Sequence, residues 1–250
     1  MGKHKRSAAR ALDFLVAQGM EVAAVIAPEP DGRSAEAQRL DLVAQRHGLA
    51  LVGEDELYER PPENLDLVLS FLFWRLIREP LISLGRHGCL NFHPAPLPDY
   101  RGLGGYNVAI LDGLSEWGVS CHFVDEGFDT GDLVAVERFP IDEKAETALS
   151  LDLKSQERLL SLFERVIQSA LRGEELPRAR QGEGRYVTRE EFEALRLVRP
   201  GDDLERKLRA CWYPPHAGVE IEVEGQRLTL VDESLLTEMA EVYRDAGRVP

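Results

Sequence analysis

The stretch GCLNFHPAPLPDYRG, residues 88–102, decides the fold. Its first part, GCLNFH (88–93), runs on in apolar residues instead of alternating, as does DLVLSFLF (66–73). Such runs read as strands covered on both faces, the mark of parallel strands in α/β proteins. Prolines at 94, 96 and 98 then forbid helix and ladder pairing, so the following segment is held as a stiff extended loop. A buried strand that feeds such a loop ends at the carboxyl edge of the sheet, where open α/β folds bind ligands. Residues i and i+2 of a strand point the same way, so Asn91 and His93 face one pocket.

Working outward, helix-like segments at 6–19 and 34–47 alternate with the strand-like EVAAVIA (21–27) and LALVG (49–53). GVSCHFV (118–124) and DLVAVERFPI (132–141) follow, the second with the period-2 pattern of a strand with one wet face. This βαβ layout predicts a doubly wound, mostly parallel α/β sheet. Apolar pairs from Leu159/Leu160 to Ala170/Leu171 recur at helical spacing, which makes 146–172 one amphipathic helix. A boundary falls in RGEELPRARQGEGR (172–185), giving a catalytic domain over 1–175 and a C-terminal subdomain over 176–250. In the latter, Asp202 and Glu205 have capping-box spacing for a helix, and VEIEVEGQRLTLV (219–231) alternates about Glu224-Gly225 as a hairpin. Such a sheet normally opens with a buried strand before its glycine-bearing turn, yet GKHKRSA begins at residue 2. Either the start is truncated or the sheet is unusual; the expectation is a short apolar run encoded upstream.

With 250 residues, 44% of them hydrophobic, the chain has room for one α/β domain and a smaller appendage. Its 44 acidic against 30 basic residues give a formal charge of −14, a field that repels a polyanion, so nucleic acid is a disfavoured partner. No run approaches the roughly 18 apolar residues of a membrane span, and the basic start MGKHKRSAAR leads into no secretory apolar region. A cytoplasmic protein with no membrane partner is expected. Cys89, Cys121 and Cys211 lack C-x-x-C spacing, which points to buried thiols rather than disulfides or a metal.

An asparagine amide donates to a developing oxyanion and a histidine moves protons, so the Asn91/His93 pair suits acyl transfer. A third group is needed to orient the imidazole, and Asp129, in the glycine-flanked loop EGFDTGDL (126–133), is the best candidate.

LNFHPAPLPDYRG, together with the aspartate of FDTGD, resembles the catalytic core of the folate-dependent formyltransferases. These act on glycinamide ribonucleotide, methionyl-tRNA or nucleotide-linked amino sugars. The resemblance implies 10-formyltetrahydrofolate as co-substrate, with Asn91 on the oxyanion, His93 handling protons and Asp129 holding the histidine. It also implies a folate site along FLFWRLI (71–77), using Trp74, Arg75 and Ile77, with backbone contacts from Phe123, Val124, Asp125 and Gly127. GLGGYNVAI (102–110) and the R-A-x-x-x-P-P run of the tail look sugar-type, which favours an amino sugar on a nucleotide as acceptor and a homodimer joined through the tail. Tyr106, Trp212 and Tyr213 are candidates for stacking a sugar or base, and Lys3, His4, Lys5 and Arg6 for holding a diphosphate. A hydrolase of the same folate, using water in place of the amine, and a silent folate-binding module remain open as alternatives.

Overall fold

Two apolar runs make a parallel pair at one side of the main sheet. They are β1 (Val68–Phe71) and β2 (Cys89–His93), in register with Ser70 beside Asn91 and Phe71 beside Phe92. The structure is a computed structural model that describes residues 1–29, 34–214, 216, 218–237 and 240. Its contacts divide the chain into two compact units. The first takes in Met1–Arg101, Gly118–Arg138 and Ser155–Arg185, and the second Gly102–Trp117, Phe139–Lys154 and Tyr186–Pro250.

In the first unit, α1 (Arg6–Ala17) and α2 (Leu40–Arg46) bury Ala9, Leu12, Leu40, Val43 and Ala44 against the extended segment carrying Val25. The short helix α3 (Glu54–Glu59) precedes β1, and the three-residue strand β3 (Tyr100–Gly102) ends the proline loop. Beyond β2 the sheet continues through β4 (Glu116–Phe123) and β5 (Leu133–Pro140), in the order β1-β2-β4-β5. The expected parallel run stops at β2, because β4 pairs with it antiparallel, with His122 opposite Asn91 and Ser120 opposite His93. The sequence 21–27 forms one bridged position, Val25 beside Leu51, rather than a full strand. Its other side meets the first residues of the chain. Gly2 N–H donates to the Ile26 carbonyl (3.1 Å), Phe71 N–H to the Met1 carbonyl (2.9 Å), and the Met1 amine to the Leu69 carbonyl (2.7 Å).

Met1 and Gly2 thus lie between the 21–27 segment and β1. A cavity of about 530 Å³ adjoins them, lined by Ala8, Ala11, Leu12, Val25, Leu69 and Phe163, among others. The long helix α5 (Ala148–Leu171) lays Phe163 on the sheet, 4.8 Å from the Phe92 ring and 5.5 Å from Phe71. Burial raises the Cys89 thiol to about 12 and pushes Cys121 up further, so both behave as apolar packing.

The second unit holds α4 (Gly105–Leu111), α6 (Arg189–Leu195) and α7 (Leu204–Cys211), with a hairpin of β7 (Val219–Val223) and β8 (Gln226–Leu230). A further short strand, β6 (Arg185–Val187), pairs with β3. The hairpin turns at Glu224-Gly225, both at positive φ, as a two-residue primed turn requires. Helix α7 is capped one residue later than its capping-box spacing predicts. Asp203 accepts from the Arg206 N–H, because the Asp202 carboxylate is taken by Lys207 Nζ (2.6 Å) and the Arg199 N–H (2.7 Å). Thr188 and Glu191 form a full capping box at the start of α6. Cys211 lies buried in this unit, its thiol raised by burial to about 11.

Candidate active site

The site begins with the alternation in β2. Leu90 and Phe92 are fully buried, which turns Asn91 and His93 together to the other side of the strand. Just past the strand, Ser120 of β4 pins the proline loop. Its hydroxyl donates to the Ala95 carbonyl (2.8 Å) and accepts from the Leu97 N–H (2.9 Å). The Tyr100 carbonyl is thereby brought to 3.2 Å from His93 Nε2.

Asp129 completes the cluster from the loop after β4. It is a non-glycine residue at φ 55°, a conformation that few side chains adopt outside constrained turns. The turn around it is built from its neighbours. The Asp125 carboxylate accepts from the Gly127 N–H (3.1 Å) and the Thr130 hydroxyl (2.6 Å), and Gly131 packs so closely on the Phe123 carbonyl that a Cβ there would lie 1.9 Å from it. Gln181 Nε2 donates to the Asp129 and Gly131 carbonyls, at 3.0 and 2.6 Å, while Arg101 holds the Gln181 side-chain oxygen at 3.0 Å. In this position Asp129 Oδ1 lies 3.5 Å from His93 Nδ1 and 3.3 Å from Asn91 Nδ2.

The three residues singled out by the motif are thus in one cluster. The Tyr100 carbonyl can only accept, so His93 keeps its proton on Nε2 and presents the Nδ1 lone pair towards Asp129. Burial holds the His93 pKa below its usual value, and the Asp129 charge opposes that shift without cancelling it. The imidazole is neutral near pH 7, ready to take a proton that the carboxylate stabilises. Beside it the Asn91 amide offers N–H groups for an oxygen that gains charge. An amide donor beside a neutral imidazole and a carboxylate suits acyl transfer.

Trp74 stands 40% exposed beyond the end of β1, after Leu72, which sits at φ 57°. The Arg75 guanidinium lies 6.0 Å over the Trp74 ring and pairs with Glu54 at 2.6 Å. Ile77 is buried with Leu57, Val68 and Leu81, and Val124 packs on the same cluster. The backbone N–H groups of Phe123 and Val124 donate to the Asp132 and Cys89 carbonyls, and the Phe123 ring lies under the Arg178 guanidinium. His4 is turned inward, where Nδ1 accepts from the Leu40 N–H at 3.3 Å, whereas Lys3 and Arg6 are exposed and Lys5 is the N-cap residue of α1. Lys3 lies near enough to His93 to lower its pKa slightly. Tyr106, Trp212 and Tyr213 belong to the second unit. There Tyr106 packs 5.9 Å from the Trp117 ring, Trp212 is buried, and the Tyr213 hydroxyl donates to Asp152 at 2.6 Å.

Ser70, His122 and Gln181 also bear on the site and were not marked by the sequence. Ser70 and His122 sit inside buried strands, and Gln181 lies in a segment whose composition reads as a linker.

Residues 50–167 match the formyl transferase family model. GDP-perosamine N-formyltransferase of Brucella melitensis is 32% identical over 180 residues, spanning 71% of this chain and 69% of that one. Methionyl-tRNA formyltransferase of Syntrophomonas wolfei is 26% identical over 247 residues, spanning 91% and 76%. Among solved structures, an N-formyltransferase of Helicobacter canadensis in complex with folinic acid and dTDP-3-aminofucose superposes with a TM-score of 0.75. It is 20% identical, and the match covers 93% of this chain and 87% of that one.

Proposed function

The chain belongs to the formyl transferase family, and from that premise we propose that it transfers the formyl group of 10-formyltetrahydrofolate to the primary amine of a nucleotide-linked amino sugar. The amine nitrogen attacks the formyl carbon and the carbonyl oxygen takes up charge against the Asn91 amide. The proton released by the amine passes to His93 Nδ1, and from there to the departing folate nitrogen as its bond to carbon breaks. Products are the formamide and tetrahydrofolate. The observation that carries this reading is the Asn91, His93 and Asp129 cluster, with Asn91 Nδ2 at 3.3 Å and His93 Nδ1 at 3.5 Å from Asp129 Oδ1.

The acceptor is argued from charge and likeness. A formal charge of −14 disfavours a tRNA, and the Brucella relative is named for an amino sugar carried on a nucleotide. The folate side is assigned to Trp74, Arg75 and Ile77 and to the backbone of 123–127. Lys3, Lys5 and Arg6 are assigned to the anionic acceptor, ahead of α1. A homodimer is proposed on the apolar stripe of the hairpin, where Val223 and Leu228 remain almost half exposed. No described helix is long and apolar enough to cross a membrane, and a cytoplasmic location is proposed.

The test is a panel of nucleotide-linked amino sugars, glycinamide ribonucleotide and methionyl-tRNA, each supplied with 10-formyltetrahydrofolate. Turnover with an amino sugar is expected. Preferential turnover of either other acceptor overturns the choice, and formate release without any amine indicates a hydrolase.

A further inference from the structure

An amide has two unlike ends, and only the N–H end of Asn91 can meet a developing oxyanion. Three contacts decide which end faces the reaction. The Ser70 hydroxyl donates to Asn91 Oδ1 at 2.7 Å. On the other side, Asn91 Nδ2 lies 3.1 Å from His122 Nε2 and 3.3 Å from Asp129 Oδ1. His122 Nδ1 is 2.6 Å from the Phe123 carbonyl, which only accepts, so Nδ1 carries the proton and Nε2 is left as a lone pair. A bare Nε2 admits only a donor, which forces the NH₂ group of Asn91 to that side. Ser70 then completes the constraint by offering a proton to the amide oxygen. His122 Nε2 is also 3.5 Å from Asp129 Oδ1, so the imidazole and the carboxylate present two acceptors to one NH₂ group. Ser70 and His122 are both almost fully buried, at 1% and 2% exposure.

We propose that Ser70 and His122 are positioning residues that fix the Asn91 amide with its N–H end towards the reacting carbonyl oxygen, an assignment that rests on the formyl-transfer reading above. The His122 bond holds the amide, and the longer 3.3 Å contact to Asp129 is the one the reacting oxygen displaces. Loss of His122 frees the amide to turn over, and loss of Ser70 leaves its oxygen unheld, so in either case the N–H end is no longer fixed against the oxyanion. An oxyanion donor is worth about a hundredfold to a thousandfold in rate, so partial loss of its orientation should lower kcat at least about tenfold.

Ser70→Ala is the primary variant, since removing one hydroxyl hardly changes packing. The expected result is a drop in kcat of at least about tenfold, with KM for the formyl donor within about twofold of the original, and recovery in Ser70→Thr, which keeps the hydroxyl. His122→Phe, if it folds, should fall with it. An unchanged kcat in Ser70→Ala, a loss carried by KM, or no recovery in Ser70→Thr overturns the proposal. A second measurement does not depend on turnover. Two-bond ¹H–¹⁵N spectra of the histidine-labelled protein should show His122 protonated on Nδ1 and bare on Nε2. The opposite tautomer refutes the positioning role even if formyl transfer is observed, and absence of any transfer by the unmodified protein refutes the reaction while leaving the tautomer to be read.

Discussion

His93 Nδ1 stands 3.5 Å from Asp129 Oδ1, with its Nε2 anchored on the Tyr100 carbonyl, so a proton gained by the ring settles between ring and carboxylate. Burial depresses the His93 pKa and Asp129 raises it against that trend. The sign of the pH dependence follows. On the proposed mechanism the neutral ring is the working form, so transfer falls as pH drops through a pKa below the ordinary histidine value of about 6.5. Asp129→Asn removes the charge that lifts the pKa. Its plateau should fall by about 10²- to 10⁴-fold, and its acid limb should move to lower pH. A pH–rate profile of both proteins checks this; an upward move of the acid limb would contradict the arrangement.

Gly131→Ala tests the turn that presents Asp129. The added Cβ would sit 1.9 Å from the Phe123 carbonyl oxygen, which is backbone and cannot swing aside. A loss of about 3 kcal/mol or more in urea unfolding is expected, at the upper end of single substitutions, together with loss of activity. A variant as stable as the original protein would show that the loop relaxes freely.

What the sequence reveals about this site follows from how each residue is constrained. Asn91 and His93 are legible because β2 alternates under two buried residues and runs into prolines, and Asp129 because a D-T-G turn announces a backbone constraint. The reversal at β4 is not legible, since an apolar strand carries no mark of its direction, only its partners do. The strand expected over 21–27 forms a single bridge, Val25 beside Leu51. Segment 178–184, rich in charge and glycine, looks like a linker. Yet Arg178 lies 3.4 Å from the centre of the Phe123 ring, Ala179 bridges to Leu133 and Gln181 fastens the turn that carries Asp129. Long-range hydrogen bonds of this sort leave no local periodicity.

Gln181→Ala should therefore act on catalysis more than on stability. It removes two bonds to the carbonyls of Asp129 and Gly131 and leaves Arg101 with the Gly182 carbonyl as an alternative acceptor. Each ordinary hydrogen bond contributes about 1 kcal/mol, so a loss of about 1–2 kcal/mol in stability is expected. A fall of about tenfold or more in kcat should accompany it, because a small displacement of a catalytic group is amplified in rate. Steady-state kinetics beside a thermal melt would separate the two effects, and a stability loss with unchanged kcat would remove Gln181 from the support of the site.

The cavity beside Met1 supplies the last prediction. Ala11 lies on α1, is 3% exposed and lines a space of about 530 Å³ whose other walls include Leu12, Val25, Leu69 and Phe163. Apolar groups facing this half-open space lack protein contacts on one side, so a side chain that covers them recovers dispersion and transfer energy together. Ala11→Leu adds three carbons, keeps a strong helix former in α1, and adds far less than the volume on hand. Stabilisation of about 1–2 kcal/mol is expected, in the range usual for cavity filling and corresponding to roughly 2–8 °C in Tm for a chain of this size. The cavity is also separate from Asn91, His93 and Asp129, none of which lines it, so kcat should stay within about twofold of the original. A lower Tm in Ala11→Leu would mean that the space is already occupied in solution, by water or by another part of the protein.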